Sequence, residues 1–475
     1  MRIAIFSLAP VFQNAVHGGS QRTLRDVAIH LGRTGHTCKI FCTWRSDNPV
    51  PFELSPGVEV LPVLRFKEHY PEPYYSAPYH LREIITTLKF AVAESDVFYI
   101  HDAELYYHFI YNAVPTVVAV QDFVYPDTLG GCLSFRRDRL IVTSAYVKSA
   151  LVSVFREFCD LQAVDVPVIP NGFDVHQFSR VDPTQLRREL NIPAEAICLL
   201  YPHRPDPRKG LYECITVLER LRKFLAPSEF DRVKLLIPQW MDSDVADDSK
   251  HVYQQLYTDV LTSAQEMSLE RKIFIHKWIP AERMPEYLSL GTVTLCIGNF
   301  IEAFGNASVE SLLCGTPAIV SRVGAQRSII PDSLIRKIDY GDLDLVAYLV
   351  AEAIRSPQSD WSEVREYVSK EYSLSKTVHA YGSSITSCKL QSPIADKLRG
   401  PLGQEDRLEI PAWCALLEHG YYNDYEYSYV HDDRLVGLAK YLGDNAKHVG
   451  ELLQRGYALD QIRRWVKGGH LVRLI

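Results

Sequence analysis

The chain has 475 residues, of which 47% are hydrophobic and 23% charged, and its formal net charge is −7 at pH 7. This composition excludes a disordered chain, and the length exceeds one ordinary hydrophobic core, so we expect two or three globular domains. The negative charge gives no general attraction to nucleic acid or acidic lipid, which makes nucleic-acid binding the least favoured function.

The first part of the chain alternates between strand and helix patterns. "RIAIFS" reads as a strand, "VHGGSQRTLRDVAIHLGRTGH" as a glycine turn followed by an amphipathic helix, and "TCKIFCT" as the next strand. This order predicts a parallel sheet with a right-handed crossover. Because the helix follows directly and no small-residue cleavage site is clear, we interpret the N-terminus as a strand and not as a signal peptide. Further strands are expected at "VEVLPV", "VFYIH", "TVVAV", "LIVTS" and "VPVIP".

A second series of strands begins after "NGFDVHQF". Its strands are expected at "AICLLYPH", "KLLIPQ", "KIFIHK", "VTLCIG" and "PAIVS", and helices around residues 343–356 and 361–387 close it. Two such series predict two doubly wound, Rossmann-like α/β domains. We assign residues 1–180 to the first domain, 181–388 to the second, 389–410 to a linker and 411–475 to a small, mostly helical module.

The cysteines and the apolar runs of the sequence indicate the cellular compartment of the protein. The ten cysteines lie mostly in apolar segments, which indicates reduced core residues and not a disulfide framework. No apolar run reaches the roughly 18 residues that a membrane span needs. We expect a cytoplasmic protein, free or peripheral at the inner membrane face.

An acidic motif lies between two of the predicted strands. In "NFIEAFGNASVESLLCGTPAIV", Glu302 falls in a strand-to-helix turn with Gly305, and Glu310 falls about a turn and a half into the helix. Ligands of open α/β sheets bind at such carboxyl ends of strands. A carboxylate accepts hydrogen bonds from vicinal sugar hydroxyls well. The two glutamates could therefore hold two polyols of one ligand; alternatively, one favours the helix dipole and the other is a surface residue.

A basic motif follows the first strand of the second domain. In "YPHRPDPRKGLYECITVLERL", Arg204 and Lys209 lie in a proline-containing turn just before a long amphipathic helix. Two cations beside a helix N-terminus can bind a diphosphate, although two solvated loop charges are the simpler alternative. Together with the acidic motif they indicate a nucleotide-sugar site.

These motifs resemble the retaining glycosyltransferases with the GT-B fold, most closely glycosyltransferase family 4. Glu302, seven intervening residues and Glu310 match the family's EX7E motif, and "RPDPRKG" matches its arginine–lysine pair. "HGGSQRTLRDVAIHLGRTGH", "VIPNGFDVHQF" and "GTPAIVS" are similar to its glycine loop, its interdomain segment and the strand after its acidic helix. The resemblance covers roughly residues 1 to 388 and implies two domains facing a cleft.

The resemblance implies roles for the acidic motif by position. Glu302, with the backbone of Phe304 and Gly305 beside it, would contact the hydroxyls of the donor sugar. Glu310 would hold the ribose hydroxyls of the nucleotide.

The resemblance also implies which residues lie close to the leaving diphosphate. Arg204 and Lys209 would neutralise the diphosphate, and Gly18 and Gly19 would let the first domain's loop approach it. The family usually needs no metal, and we predict neither a metal site nor a required cofactor. The acidic run "DSDVADD" at residues 242–248 resembles a metal motif, but we interpret it as an exposed loop.

The chain departs from the family pattern at one position. Gln121 and Asp122 follow "PTVVAV" where the family commonly has histidine and aspartate. Gln121 can hydrogen-bond a sugar hydroxyl but cannot titrate near neutral pH, which leaves the donor sugar open. His101 and Asp102 end another strand of the first domain and are candidate cleft residues; the alternative is a hydrogen-bonded structural histidine.

Two further segments could affect the acceptor or a partner. The aromatic stretch "HYPEPYYSAPYH" at residues 69–80 either shapes an acceptor site or is a packed surface loop. In the terminal module, "NAKHVGELLQRGYALDQIRRWVKGGHLVRLI" predicts two short helices around Gly456 and then a strand. The module either packs on the catalytic body, mediates self-association, or binds a partner or carrier substrate.

The function favoured by the sequence is transfer of a hexose from a UDP- or GDP-sugar, with retention, to a glycan, lipid-linked or small-molecule acceptor. The alternative is a non-catalytic, sugar-nucleotide-binding subunit of a glycosylation complex. A glycoside hydrolase using the two glutamates is a third class, but it explains neither the basic motif nor the paired domains.

Overall fold

The computed structural model describes residues 1–16, 18–66, 77–135, 137–159, 165–240, 250–395 and 399–474. Its first sheet has seven strands: β1 (Arg2–Ser7), β2 (Thr37–Thr43), β3 (Phe52–Ser55), β4 (Val58–Leu64), β5 (Val97–His101), β6 (Thr116–Val120) and β7 (Arg139–Val142). Their order is β3-β4-β2-β1-β5-β6-β7, and every neighbouring pair is parallel except β3 with β4. Strands such as β5 are continuous apolar runs because both faces of the sheet are covered.

The helices of the first domain are α1 (Gly19–Arg33), α2 (Pro78–Ala93), α3 (Pro126–Ser134) and α4 (Ala145–Phe155). In α1, Leu24, Val27, Ala28 and Leu31 are buried with the spacing of one helix face, as predicted. The predicted strand "VPVIP" is wrong: Asp165 and Val168 form only isolated bridges beside β7. Pro167 and Pro170 lack the N–H groups that a continuous ladder needs. Strand β3 was not predicted.

The second sheet has six parallel strands: β8 (Ile197–Leu200), β9 (Val233–Pro238), β10 (Ile273–His276), β11 (Val293–Cys296), β12 (Ala318–Ser321) and β13 (Arg336–Ile338). Their order is β10-β9-β8-β11-β12-β13, which confirms a second doubly wound domain. Its helices are α5 (Thr184–Glu189), α6 (Leu211–Leu221), α7 (Pro227–Arg232), α8 (Lys250–Glu266), α9 (Met284–Leu290), α10 (Asn306–Leu313), α11 (Leu343–Arg355) and α12 (Ser362–Glu371). The three-residue β13 is the one strand of this sheet that the sequence analysis did not predict.

The next helix, α13 (Leu374–Thr386), returns to the first domain and packs on α1. Tyr381, Ile385 and Cys388 are buried in the same core as Ile3 and Leu24. The division predicted at residue 180 assigns this helix to the second domain, whereas its core contacts lie in the first. Its apolar face is visible in the sequence, but the periodicity does not say which sheet that face covers.

Among the described residues 399–474, the terminal module contains two three-stranded sheets and three helices, and its first strand lies within the segment predicted as a linker. Its strands are β14 (Arg407–Glu409), β15 (Cys414–Leu417), β16 (Gly420–Asn423), β17 (Ser428–Tyr429), β18 (Lys447–His448) and β19 (Val472–Leu474), and its helices are α14 (Asp433–Leu442), α15 (Val449–Gln454) and α16 (Leu459–Lys467). The two predicted helices around Gly456 and the strand after them are confirmed. The antiparallel sheet β15-β16-β17 was not predicted from its tyrosine-rich sequence.

All ten cysteines are buried and none forms a disulfide within the described residues, which confirms their interpretation as core residues. Within the described parts of the chain, no helix is both long enough and apolar enough to cross a bilayer.

Candidate functional site

The predicted basic and acidic motifs meet at the carboxyl edge of the second sheet. Strands β8 and β11 are parallel neighbours, so the loops that follow them lie side by side. The first loop ends in a short 3₁₀ turn, Pro207–Lys209, and the second carries Glu302. The Nζ atom of Lys209 lies 2.5 Å from Oε1 of Glu302 and 3.5 Å from the centre of the Phe300 ring. Two residues 93 positions apart thus form one partly buried ion pair, whose charged groups face the cleft edge of the sheet.

Glu310 lies on α10 and is buried. Its Oε1 atom lies 2.5 Å from Nη1 of Arg22, which belongs to α1 in the first domain. The guanidinium of Arg22 also lies 5.3 Å from the centre of the Phe178 ring. The candidate ribose carboxylate is therefore already paired across the two domains. The sequence analysis did not identify Arg22, because no local signal marks this arginine among the polar residues of α1.

The glycine loop approaches the second domain at the start of α10. A Cβ atom added to Gly19 would lie 2.3 Å from Nδ2 of Asn306, so a larger residue there would have to displace the Asn306 side chain, whereas one added to Gly18 would contact no described atom within 4 Å. Asn306 also accepts a 2.9 Å hydrogen bond from Nδ2 of Asn171 in the predicted interdomain segment. The two domains are therefore in close contact at the N-terminus of the acidic helix.

Gly305 and Phe304 shape the turn that precedes α10. Gly305 has φ of 98°, in the left-handed region, and a Cβ atom there would lie 3.1 Å from Cγ of Gln326. The Phe304 ring is buried, with its centre 6.0 Å from that of Phe173 and 5.2 Å from that of Tyr372. The Phe304 side chain therefore anchors the turn, and only the backbone of Phe304 is available to a ligand.

Arg204 is exposed at the start of the basic loop. Its Nη2 atom lies 3.4 Å from the Tyr125 hydroxyl of the first domain, and its guanidinium lies 5.4 Å from the Trp240 ring centre. Burial lowers the pKa of the neighbouring His203 well below its usual value, and Lys209 and Arg204 act in the same direction. The loop thus presents cations from Arg204 and Lys209 beside a neutral imidazole.

His101 lies beneath the glycine loop and not on the cleft surface. It is buried; Nδ1 lies 2.8 Å from the Tyr99 hydroxyl and Nε2 lies 2.9 Å from Oγ of Ser20. Burial lowers its pKa, so the ring is neutral at pH 7. Asp102 adopts φ of 68° and accepts a 2.5 Å hydrogen bond from Ser20 at Oδ2. Its Oδ1 atom is buried and has no hydrogen-bond partner among the residues described.

Gln121 is buried at the end of β6 and donates a 2.9 Å hydrogen bond from Nε2 to the hydroxyl of Tyr381 on α13. Burial raises the pKa of the adjacent Asp122 to about 6, and the carboxylate of Asp102 acts in the same direction. The charge of Lys209 lowers the pKa of Asp122 and that of Glu302 raises it. The charge state of Asp122 therefore depends on residues of the second domain.

Replacing Asp122 with asparagine is expected to raise the melting temperature at pH 7.5. The raised pKa means that the folded chain holds the Asp122 proton more tightly than the unfolded chain, whose ordinary value is 3.8. Ionisation then costs the folded state at most about 3 kcal/mol above pH 6, and this cost disappears as the pH falls towards 4. Thermal unfolding of both proteins from pH 4.5 to 7.5 checks this; a constant difference across that range would contradict it.

Exposed Asp182 provides the matched control for this measurement. Hydrogen bonds from Thr184 lower the pKa of Asp182. Its replacement by asparagine should therefore lower the melting temperature by an amount that stays constant from pH 4.5 to 7.5, because this stabilisation is lost only as the pH falls below the ordinary value of 3.8.

Some predicted features cannot be placed. The acidic run at residues 242–248 and residues 69–76 of the aromatic stretch lie outside the described residues. Among the residues that are described, no group of three or more His, Cys, Asp or Glu side chains is arranged to hold a metal ion.

A family model described as "Glycosyl transferases group 1" matches residues 182–336, the segment that contains Arg204, Lys209, Glu302 and Glu310. The chain is 23% identical over 267 residues to the lipopolysaccharide 1,2-N-acetylglucosaminetransferase of Salmonella typhimurium. That match covers 56% of this chain and 63% of the relative, so the chain spans less than two thirds of the relative's length.

Solved structures match a larger part of the chain. Sucrose-phosphate synthase from Thermosynechococcus elongatus superposes with a TM-score of 0.62 at 18% identity, covering 80% of this chain and 97% of that one. Anabaena HepE, solved in complex with UDP and glucose, superposes with a TM-score of 0.63 at 16% identity, covering 82% of this chain and 100% of that one. The chain has the two-domain GT-B fold, as predicted.

Proposed function

We propose that the protein is a retaining glycosyltransferase that moves a sugar from a nucleoside-diphosphate sugar to an acceptor hydroxyl. The observation that carries this proposal is the Lys209–Glu302 ion pair at the carboxyl edge of the second sheet. Both residues lie within the segment matched by the glycosyltransferase model, and the resemblance assigns one to the diphosphate and the other to the donor sugar. A cation and a sugar-binding carboxylate 2.5 Å apart suit a bond that joins a sugar to a phosphate.

The leaving diphosphate would be bound by the basic loop. Negative charge develops on the phosphate oxygen as the glycosidic bond breaks, and fixed cations at that point lower the barrier. Lys209 is partly buried beside Phe300, where its charge is less screened by water than that of an exposed lysine. Exposed Arg204 would reach the outer part of the diphosphate.

The acceptor would enter from the first domain, where Gln121, Asp122 and the buried Oδ1 atom of Asp102 lie. Domain closure would align the acceptor hydroxyl with the anomeric carbon and exclude water. In this scheme the leaving phosphate takes the acceptor proton, so no side chain has to act as the base. Arg204 and Lys209 supply the positive charge, and the reaction is proposed to need no added metal.

A donor screen tests the proposal. UDP-glucose and UDP-N-acetylglucosamine come first, because HepE was solved with UDP and glucose and the Salmonella relative is named as an N-acetylglucosaminetransferase; GDP-sugars follow. Thermal shift and nucleotide release are measured together, with EDTA present. We expect one donor to raise the melting temperature and to release nucleotide, and NMR of the product should show the anomeric configuration of the donor.

Two other results are informative. A thermal shift without turnover, for any donor and acceptor tried, would replace the proposal with a sugar-nucleotide-binding subunit. No thermal shift with any donor would contradict both readings of the site.

A further inference from the structure

The terminal module contacts loops of both domains beside the proposed site. The turn that joins β16 to β17 contains Asp424, Tyr425 and Tyr427. The hydroxyl of Tyr425 donates a 2.6 Å hydrogen bond to the carbonyl of Phe123, one residue after Asp122 in the first domain. The hydroxyl of Tyr427 lies 3.4 Å from Nη1 of Arg208, which precedes Lys209 in the second domain. This turn, which we call the tyrosine turn, therefore closes one side of the cleft.

Asp424 joins the two domains within this turn. It is fully buried, and its Oδ2 atom accepts a 2.8 Å hydrogen bond from the hydroxyl of Tyr146 on α4 of the first domain. From the second domain, Arg327 donates to both oxygens, at 2.9 and 2.5 Å. One carboxylate thus accepts hydrogen bonds from both domains. The two bonds from the planar guanidinium of Arg327 fix the orientation of the carboxylate relative to the arginine.

The segment held by Asp424 supports the acidic loop directly. Gly324–Arg327 is a 3₁₀ turn after β12. The N–H of Ala325 donates a 2.9 Å hydrogen bond to the carbonyl of Glu302. Gln326, the next residue, is buried against Gly305. The 3₁₀ turn therefore contacts both ends of the loop of residues 302–305, and α4 packs beside the same turn from the first domain.

We infer that Asp424 is a positioning residue for the transfer reaction: through Arg327 it fixes the 3₁₀ turn, and through that turn it fixes the loop that carries Glu302. The terminal module is then part of the site and not only a neighbour of the catalytic body. This inference rests on the proposed function for its effect on turnover, but its structural part, the ordering of residues 302–305, is independent of any reaction.

The test replaces Asp424 with asparagine. An amide cannot accept from the guanidinium on both sides, so the 3₁₀ turn should lose its fixed position. We expect kcat to fall about tenfold with little change in donor KM, since a small misplacement of a reacting group affects the rate more than binding. Backbone hydrogen exchange in residues 302–305 should become faster. Because the variant leaves the partly buried Arg327 without its carboxylate and could fold poorly, the double variant Arg327→Met/Asp424→Asn is measured in parallel.

Asp339→Asn is the matched control. Oδ2 of Asp339 also accepts hydrogen bonds from the module, at 2.7 Å from the N–H of Glu418 and 3.3 Å from that of His419. It does not contact the 3₁₀ turn or the acidic loop in the described structure. We expect a lower melting temperature for this variant, with kcat and the exchange of residues 302–305 unchanged.

The outcomes separate the inference from the proposed function. Equal effects of Asp424→Asn and Asp339→Asn on kcat and on exchange would overturn the inference, because the module would then only stabilise the fold. Normal kcat and normal exchange in the double variant would overturn it as well. If the wild-type protein transfers no sugar, the proposed function fails, and the exchange of residues 302–305 alone decides whether Asp424 orders the loop.

Discussion

Replacing Lys209 with alanine is expected to lower the transfer rate about 100- to 1000-fold, the usual cost of losing one fixed donor at a developing negative charge. Lys209 is suited to this role because it is partly buried, paired with Glu302 and adjacent to the N-terminus of α6. Single-turnover kinetics with a saturating donor measures the effect on the chemical step. Donor binding should weaken less than the rate, since charge on the leaving phosphate grows as the bond breaks.

Lys223→Ala is the matched control for the loss of a lysine charge. Lys223 lies two residues after the C-terminus of α6, is exposed and pairs with the exposed carboxylate of Asp344. Its removal should leave the rate unchanged. If Lys209→Ala unfolds at the wild-type temperature and its transfer rate falls less than tenfold, the proposal that Lys209 stabilises the leaving phosphate is contradicted.

Replacing Glu310 with alanine is expected to weaken binding of the nucleotide-sugar about 10- to 100-fold. Hydrogen bonds to a charged group contribute roughly 1.5 to 3 kcal/mol each, and about 1.4 kcal/mol corresponds to a factor of ten. The same change removes the interdomain ion pair with Arg22, so the binding constant, measured by calorimetry, is the informative quantity and not the melting temperature.

Arg22→Met separates the two roles of Glu310. This variant also breaks the interdomain pair but keeps the carboxylate. If the ribose hydroxyls take over the contact now made by Arg22, donor affinity in Arg22→Met should equal or exceed that of the wild type. A loss as large as that of Glu310→Ala would mean that Arg22 itself binds the donor.

The parts of the fold that were predicted from sequence are those with a local signal. Buried parallel strands appear as continuous apolar runs, and α1 and α6 show one apolar face each. The sequence also predicted that Lys209 and Glu302 belong to one nucleotide-sugar site, but their direct contact depends on β8 and β11 being neighbours, which was not predicted.

The missed features depend on contacts between distant segments. The pairing of Arg22 with Glu310 joins residues 288 positions apart and is set by how the two domains dock. The same holds for Asp424, which reaches Tyr146 and Arg327 from a module outside the family resemblance. His101 and Gln121 were correctly placed at strand ends, but their burial against Tyr99 and Tyr381 could not be read from spacing.

The chain passes between the two domains at two places that lie side by side. Phe173, entering the second domain, donates a 2.8 Å hydrogen bond to the carbonyl of Tyr372, and Leu374, leaving it, donates a 3.0 Å hydrogen bond to the carbonyl of Phe173. We expect this short two-stranded connection to act as the hinge if the domains rotate apart, because both crossings of the chain lie in it. Opening to release the spent nucleotide would then have to separate Arg22 from Glu310, so that ion pair would add to the free energy needed to open the cleft.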